Sequence, residues 1–191
     1  MSKIALALFA SGSGSNVENI IRYFKHHQHI CVALVLANKS CGAIDFAIKH
    51  QVPYYIFNKE ELSNGIVTKI LVKTGINGIV LAGFLMKMPE ELVKMYENII
   101  LNIHPALLPK FGGKGMYGLN VHKAVLEARE KYTGITIHLV NEQYDEGRIL
   151  EQHNCEVLES DSVEELQERV KTLEREFFPK AIENYFLNTR I

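Results

Sequence analysis

Cysteine is scarce in this sequence of 191 residues, and neither sign of charge is in excess. The three cysteines, Cys31, Cys41 and Cys155, are odd in number and widely spaced, which argues against a disulfide framework or a cysteine-based zinc site. Basic residues number 21 against 22 acidic ones, and the formal net charge is −1. Such a balance provides no general attraction to nucleic acid or to acidic membranes. We therefore expect neither as a partner, and any anion must be bound at a local site.

Long hydrophobic runs are also absent, and no stretch approaches the length of a membrane span. The N-terminal stretch MSKIALALFA combines a lysine with a short apolar run, as a secretory signal peptide does. The glycine-rich turn and the amphipathic segment that follow it are more typical of a first strand and helix. Hydrophobic residues at 47% and charged residues at 23% are ordinary for one globular domain. The sequence thus predicts a single-domain, cytoplasmic protein.

Short apolar runs alternate with amphipathic segments in the N-terminal half. The runs IALALFA, ICVALVLAN, GIVLAGF and NIILNIH are typical of strands that are buried on both faces. Hydrophobic residues recur at helical spacing in the segments 15–27, 41–51, 65–75 and 89–98. Because strands that alternate with helices need crossover connections, the pattern predicts an α/β fold. Its sheet should be doubly wound and mostly parallel, Rossmann-like in the N-terminal half.

The C-terminal half has a different pattern. GITIHLV (134–140) alternates in polarity, and RILEQHNCEVL (148–158) follows after a connection too short for a helical crossover. We therefore predict two antiparallel strands added to the sheet. A long C-terminal helix is predicted to begin at Asp161, with Glu164 as its capping-box partner.

The turn SGSGSN (11–16) joins the first strand to the first helix. Glycine lets the backbone approach a ligand closely, and the free amides at a helix start attract anions. The turn is not a dinucleotide fingerprint, because Val17 occupies the third glycine position and Asn38 ends the second strand where a ribose-binding acid belongs. It can form a small site for one phosphate, with Ser13, Ser15 and Asn16 as side-chain donors. Alternatively, it is a plain turn with Ser15 as the helix cap.

The stretch LNIHPALLP (101–109) ends a buried strand with an amide and an imidazole. Since side chains two apart on a strand point the same way, Asn102 and His104 share a face at a carboxyl end, where open α/β sheets bind ligands. Pro105 restricts His104 to an extended backbone. An amide donor beside an imidazolium suits the stabilisation of an oxygen that gains negative charge. The alternative is a structural histidine at a strand end.

An acid that orients and charges this histidine is expected in NEQYDEG, the connection between the two late strands. Asp145 is the best candidate, with Glu142 and Glu146 as rivals. Alternatively, all three acids lie at a solvated hairpin tip. In the strand before this connection, Thr136 and His138 share one face.

These motifs occur in the order seen in the folate-dependent formyltransferase family. SGSGSN, LAGF (81–84), LNIHPALLPK, TGITIHLV and YDEGRIL carry the resemblance, which covers nearly the whole chain. The element HPALLP with its preceding asparagine is specific to this family, and the remaining motifs resemble its phosphoribosylglycinamide formyltransferase group. The resemblance implies an enzyme of purine biosynthesis that needs no metal. It would transfer the formyl group of 10-formyltetrahydrofolate, its cosubstrate, to the amine of 5'-phosphoribosylglycinamide.

The resemblance also implies roles by matching position. The catalytic residues would be Asn102, His104 and Asp145, supported by Thr136 and His138. The substrate phosphate would be bound by Gly14, Ser15, Asn16, Lys171 and Glu174. The folate pocket would be formed by Leu85, Met86, Lys87, Met88, Asn102, Asn141, Glu142, Gln143 and Tyr144. In this scheme 1–191 is one formyltransferase domain, with 1–100 as its phosphate-binding half and 101–191 as its catalytic and folate-binding half.

The sequence departs from the family pattern at two places. Asn64 stands near a position where related enzymes often have an arginine facing the folate, and the segment 110–122 is longer and richer in glycine than usual. Alternatives to the implied function are a hydrolase that releases formate from the same folate, the catalytic half of a methionyl-tRNA formyltransferase, and a non-catalytic phosphosugar-binding protein. The first usually carries an extra N-terminal domain and the second a basic C-terminal domain, so the sequence favours the transferase. A monomer and a homodimer are both compatible with it.

Overall fold

The computed structural model describes residues 3–189, which contain one seven-stranded sheet. Its strands are β1 (Ile4–Ala10), β2 (Ile30–Ala37), β3 (Tyr54–Ile56), β4 (Gly78–Leu81), β5 (Ile100–His104), β6 (Tyr132–Leu139) and β7 (Ile149–Glu156). They lie in the order β3-β2-β1-β4-β5-β6-β7. Strands β1 to β5 pair in parallel, whereas β6 and β7 pair antiparallel. The predicted doubly wound, mostly parallel α/β fold with antiparallel strands in its C-terminal half is confirmed.

Helices flank this sheet on both faces. They are α1 (Ser15–Phe24), α2 (Gly42–Lys49), α3 (Lys59–Ser63), α4 (Ile66–Lys73), α5 (Glu90–Met95), α6 (Leu119–Glu127) and α7 (Val163–Asn188). One core lies beneath α1, α2 and α7 and includes Phe178, while a second lies beneath α3, α4 and α5 and includes Leu92. Because successive side chains of β1 point to opposite faces, Leu8 belongs to the first core and Phe9 to the second. Because the strands present apolar side chains on both faces, helices cover both faces of the sheet.

Three short elements lie outside the sequence-based prediction: β3, α3 and α6. Strand β3 has three residues, of which the two outer ones are exposed, so no buried run marks it. Helix α3 has only five residues. Helix α6 begins directly after Gly118, inside the glycine-rich segment that the sequence pattern indicates as a link. Short length conceals β3 and α3, and the glycine-rich segment before it conceals α6.

The long helix α7 begins later than predicted. Its N-cap is Ser162, whose Oγ accepts a hydrogen bond from the Glu165 amide, while the Glu165 carboxylate accepts one from the Ser162 amide. The predicted capping box of Asp161 and Glu164 is therefore wrong. The Asp161 carboxylate instead accepts hydrogen bonds from the Arg169 guanidinium at 2.6 and 2.8 Å. It holds the preceding chain against the side of the helix rather than capping its end.

Removal of the Ser162 hydroxyl is expected to destabilise the fold. Since Ser162→Ala leaves a helix amide without its acceptor, we expect it to lower the free energy of unfolding by about 1 kcal/mol. The matched control is Ser160→Ala on the exposed chain just before the helix, for which a change below about 0.5 kcal/mol is expected. Urea unfolding followed by circular dichroism measures both. Equal effects would show that Ser162 does not act as the cap.

The fold gathers its loops at one edge of the sheet. Strands β1, β4 and β5 are parallel neighbours, so their carboxyl ends meet there. The glycine-rich turn follows β1, residues 82–85 follow β4, and His104 ends β5. This edge is where open α/β sheets bind their ligands.

Candidate active site

A cavity of about 520 Å³ opens at this edge of the sheet. The loops after β1, β4 and β5 line it, together with residues 113–118 and side chains from α6 and α7. Its lining residues are Gly12, Ser13, Gly14, Ser15, Asn16, Ala82, Gly83, Phe84, Leu85, Asn102, Ile103, His104, Pro105, Gly113, Lys114, Gly115, Met116, Tyr117, Gly118, His122, Tyr144, Asp145, Gln167, Val170, Lys171 and Glu174. The structure thus places all the predicted catalytic and phosphate-binding residues around one cavity.

The three predicted catalytic residues meet in this cavity. Asn102 and His104 alternate along β5 and pair with His138 and Thr136 of β6. Asp145 lies between the two histidines. Its Oδ2 is 3.5 Å from Nδ1 of His104, and its Oδ1 is 3.6 Å from Nε2 of His138. An amide, an imidazole and a carboxylate from distant parts of the chain therefore face the same small volume.

The connection between β6 and β7 folds back to bring Asp145 to the histidines. Asp145 has a φ of 57°, a left-handed conformation that aspartate tolerates better than most residues. Its Oδ2 accepts a hydrogen bond from the Gly113 amide at 2.9 Å. Gly147 permits the tight return, because a Cβ there would lie 1.7 Å from the Leu139 carbonyl oxygen. Backbone geometry, rather than packing alone, therefore positions the carboxylate.

The two rival acids lie on the surface. Glu142 is exposed, with its carboxylate 3.6 Å from the Lys94 ammonium. Glu146 is exposed as well. Asp145 is half-buried beside His104, so the alternative of a solvated hairpin tip fits its two neighbours and not Asp145 itself.

Burial and charge act against each other on His104. Burial is the largest effect and brings the pKa of its imidazole below the ordinary value, although the charge of Asp145 and the Phe111 carbonyl act to raise it. The geometry of the ring fits the protonated form, because Nε2 lies 2.8 Å from the Phe111 carbonyl oxygen and Nδ1 faces the Asp145 carboxylate. Each N–H of an imidazolium then has an acceptor. A charged His104 places positive charge at the cavity wall.

Asp145 itself is held in its ionised form. Burial acts to raise the pKa of its carboxyl, but the interaction with His138, the charge of His104 and the Gly113 amide together bring that pKa below its ordinary value. A carboxylate in this state supplies the negative charge that an imidazolium at His104 requires.

His138 orients the Asn102 amide. Nδ1 of His138 lies 2.8 Å from the Leu139 carbonyl oxygen and donates a hydrogen bond to it. Nε2 is then an acceptor, and the Nδ2 amide of Asn102 donates to it at 3.0 Å. The amide keeps its second N–H and its carbonyl oxygen for a ligand.

Thr136 holds the segment that follows His104. Its hydroxyl donates to the Ala106 carbonyl at 2.7 Å and accepts from the Leu108 amide at 3.0 Å. Gln152 of β7 also donates to this hydroxyl at 2.9 Å. Thr136 is buried outside the cavity lining, so it can support the site by fixing the proline-containing turn rather than by contacting a ligand.

The glycine-rich turn presents the start of α1 to the cavity. Gly14 is the N-cap residue with a φ of 79°, and no side chain among residues 3–189 caps this helix. The alternative in which Ser15 is the cap is therefore wrong, because Ser15 is already helical. A Cβ at Gly14 would lie 2.5 Å from the Ala43 backbone, so a larger residue cannot enter without displacing α2. Uncapped amides at a helix start are suited to an anion.

Helix α7 supplies polar side chains beside this turn. The Asn16 amide donates to the Glu174 carboxylate at 2.9 Å, and burial raises the pKa of Glu174. Lys171, one helical turn earlier, donates to Glu168 at 2.6 Å. The Asn16–Glu174 contact joins α7 to the first turn of α1, and Lys171 lines the same cavity. The five predicted phosphate-binding residues thus share one cavity, and their role in binding stays a prediction.

The sequence pattern of the formyl transferase family matches residues 4–182, from the start of β1 well into α7. The chain belongs to the formyl transferase family. The matched range contains all seven strands of the sheet and every residue that lines the cavity.

Individual formyl transferases are similar over most of the chain. The chloroplastic phosphoribosylglycinamide formyltransferases of Arabidopsis thaliana and Vigna unguiculata are 42% and 41% identical, and each match covers 93% of this chain. The chain spans 63% and 59% of the length of these two relatives. The crystal structure of phosphoribosylglycinamide formyltransferase from Bacillus halodurans is 32% identical with a TM-score of 0.86. That match covers 97% of this chain and 96% of the other.

Of the residues that the formyl transferase resemblance implies for folate binding, only some line the cavity. Leu85, Asn102 and Tyr144 line the cavity, and Leu85 and Tyr144 are exposed side chains suited to stacking on a planar ring. Met88 is buried in the second core. The others lie outside the cavity lining: Met86, Lys87, Asn141, Glu142 and Gln143. Folate binding through these residues stays a prediction.

Several cavity residues of this formyl transferase are missing from the sequence-based prediction. Gln167 lies one helical turn before Lys171, so helical spacing alone indicates it once Lys171 is chosen. Lys114 and Tyr117 lie in the glycine-rich loop, whose path no local pattern determines. His122 lies on α6, a helix without a clear sequence signal.

Residues 3–189 contain no group of three or more histidine, cysteine, aspartate or glutamate side chains placed to hold a metal ion. Over the same range, no helix combines the length and apolar character that a membrane crossing needs.

Proposed function

We propose that this chain transfers the formyl group of 10-formyltetrahydrofolate to the amine of 5'-phosphoribosylglycinamide, a step of purine biosynthesis. The observation that carries the proposal is the convergence of Asn102, His104 and Asp145 on a cavity that also contains the glycine-rich turn. A phosphorylated amine that reacts with a formyl carbonyl needs an anion site and a charge-stabilising pair in one cleft. The names of the plant relatives and of the Bacillus halodurans structure support the same reaction.

The reaction is an addition followed by an elimination. The neutral amine attacks the formyl carbon, a carbon–nitrogen bond forms, and the carbonyl oxygen becomes an oxyanion. The second N–H of Asn102 and the positive charge of His104 stabilise this oxygen. The bond from this carbon to N10 of the folate then breaks, and its electron pair passes to N10. The proton lost by the amine ends on N10, which gives the formylated amide and tetrahydrofolate.

Asp145 has two tasks in this scheme. Its negative charge opposes the effect of burial on the pKa of His104 and so favours the imidazolium form. Its carboxylate also lines the cavity, where it can accept the amine proton through a water molecule and return it to N10. No metal and no covalent enzyme intermediate are required.

The substrate phosphate is assigned to the uncapped amides of α1, with Asn16 and Lys171 as further donors. Anchoring the phosphate aligns the amine with the formyl carbon, and such positioning lowers the barrier by reducing the entropy lost at reaction. The N-terminal half, 1–100, then supplies the phosphate-binding turn, and 101–191 supplies the catalytic residues and most of the folate wall. Within this single domain, α7 crosses back to bring Lys171 to the phosphate.

The remaining assignments concern assembly and compartment. All residues used in this scheme belong to one chain, so a monomer or a homodimer can carry it out. The three cysteines of the chain are unpaired, which fits a reducing compartment. We place the protein in the cytoplasm on this ground, although the two plant relatives are chloroplastic by name.

Turnover of 10-formyltetrahydrofolate is expected to require the ribonucleotide. The purified chain is mixed with the folate alone, with 5'-phosphoribosylglycinamide, or with glycinamide that lacks the phosphoribosyl group. We expect tetrahydrofolate and formylated product in equal amounts with the ribonucleotide, and far slower reaction with plain glycinamide because the phosphate anchor is missing. Formate release without the ribonucleotide would favour the hydrolase. A complete lack of turnover would favour a phosphosugar-binding protein.

A further inference from the structure

The imidazole of His122 is buried against the cavity without a partner for one of its nitrogens. The residue lies on α6, is 2% exposed and contributes to the cavity lining. Its Nδ1 is sealed from solvent and has no hydrogen-bond partner among residues 3–189. Buried polar groups are normally paired. Nε2, by contrast, is not sealed in this way, and because the ring lines the cavity it is the nitrogen that a bound ligand can reach.

His122 shares the cavity with both ends of the site and feels the charge of each. Positive charge from Lys171, at the phosphate end, and from His104, at the catalytic end, both act on its ring. Burial, which is the largest effect, and these two charges lower the pKa of His122 to about 4. The ring is therefore neutral near pH 7, with one nitrogen as a donor and the other as an acceptor. Such a ring suits a neutral group that can both donate and accept.

We propose that His122 binds a ribose hydroxyl of the phosphoribosyl substrate and thereby strengthens the binding of that substrate. The inference rests on the proposed function, which places the phosphate near Lys171 and the amine near His104. The ribose joins these two groups in 5'-phosphoribosylglycinamide, so it lies in the cavity that His122 lines. A sugar hydroxyl both donates and accepts, which matches a neutral imidazole. His122 would thus select a ribose-containing amine over one that lacks the hydroxyl.

The substitution His122→Phe tests this contact because it keeps a planar ring and removes both nitrogens. We expect the KM for the ribonucleotide to rise about tenfold, the usual effect of losing one hydrogen bond. The kcat and the KM for 10-formyltetrahydrofolate should change by less than about twofold, since uniform binding of one substrate is lost. His122→Gln, which keeps a donor and an acceptor, should recover most of the affinity. Steady-state kinetics with each substrate varied in turn gives these values.

Deoxy analogues of the substrate identify the hydroxyl. We expect the wild type to bind either the 2'-deoxy or the 3'-deoxy analogue about tenfold more weakly than the ribonucleotide. His122→Phe should show no additional loss with that analogue, because the contact is already absent. An equal penalty of His122→Phe on the ribonucleotide and on both analogues would overturn the proposal, and so would an unchanged KM.

Val125→Ala is the matched control for α6. Val125 is fully buried on the same helix and lies outside the cavity lining, so its truncation should lower the Tm and leave both KM values unchanged. If His122→Phe does not fold, His122→Leu replaces it in the same measurements. Wild-type protein without ribonucleotide-dependent turnover would contradict the proposed function. A working wild type combined with an unmoved KM in the His122 variants would contradict this inference alone.

Discussion

Replacement of Asp145 by asparagine is expected to lower kcat by about 10²- to 10⁴-fold. The carboxylate lies 3.5 Å from Nδ1 of His104 and is the negative charge that supports the imidazolium. Asparagine has the same shape, and its amide oxygen can still accept the hydrogen bond from the Gly113 amide. The substitution therefore removes charge and proton transfer while it preserves the turn. The KM for 10-formyltetrahydrofolate should change by less than about threefold, because the loss occurs in the transition state.

The pH dependence of kcat in this variant tests separately whether Asp145 raises the pKa of His104. The negative charge of Asp145 raises the pKa of His104 against the effect of burial. When that charge is removed, burial is opposed only by the Phe111 carbonyl, so the pKa of His104 falls further. The imidazolium is then lost at a lower pH. We expect the alkaline limb of the kcat profile of Asp145→Asn to lie at lower pH than in the wild type.

Glu146→Gln is the matched control, because it makes the same change of charge at the next residue. Glu146 is exposed, and its replacement should leave kcat within about twofold of the wild type. Thermal unfolding of both variants checks that the fold is retained. If Asp145→Asn lost the binding of both substrates as severely as turnover, Asp145 would be a structural residue and the catalytic assignment would fail.

The shared position of Asn102 and His104 on β5 could be predicted from the sequence because local rules determine its geometry. Strand periodicity places Asn102 and His104 on one face, and Pro105 keeps the backbone of His104 extended. The position at the carboxyl end follows from the alternation of strands and helices. None of these inferences requires knowledge of a distant contact, and the structure places both side chains in the cavity.

The position of Asp145 depends on contacts that sequence patterns do not contain. Its approach to His104 requires a left-handed backbone at residue 145 and the close passage of Gly147 over the Leu139 carbonyl. In the sequence, Glu142, Asp145 and Glu146 are three acidic residues of one connection with nothing to distinguish them. Only the backbone path of the folded connection brings Asp145, and not the other two, to His104. His122 is hidden for a related reason, because its helix follows a glycine-rich loop whose path has no local signal.

The helix cap shows the same limit on a smaller scale. Asp161 with Glu164 and Ser162 with Glu165 satisfy the same three-residue spacing, so the capping-box pattern fits both. The choice depends on Arg169, whose guanidinium binds the Asp161 carboxylate at 2.6 and 2.8 Å. A side chain two turns along the helix thus decides which residue begins it. Such competition between acceptors is not visible in a local pattern.

Replacement of Asn102 by alanine is expected to lower kcat by about 100- to 1000-fold, the usual effect of losing one oxyanion donor. The amide is well placed for this role, because one N–H donates to His138 at 3.0 Å and so fixes where the other is directed. A donor held in advance of the reaction needs no reorganisation as the oxyanion forms. The KM values for the two substrates should change little, since the hydrogen bond strengthens only in the transition state.

Asn102→Asp separates this role from simple packing. Aspartate fills the same space, but it presents acceptors where the oxyanion needs a donor and adds negative charge at that point. We therefore expect it to lose at least as much kcat as Asn102→Ala, although less side-chain volume is removed. Single-turnover measurements with saturating substrates isolate the chemical step from product release. Near-wild-type turnover in either variant would remove Asn102 from the oxyanion site, and a recovery in Asn102→Asp relative to alanine would show that side-chain volume, not the donor, matters.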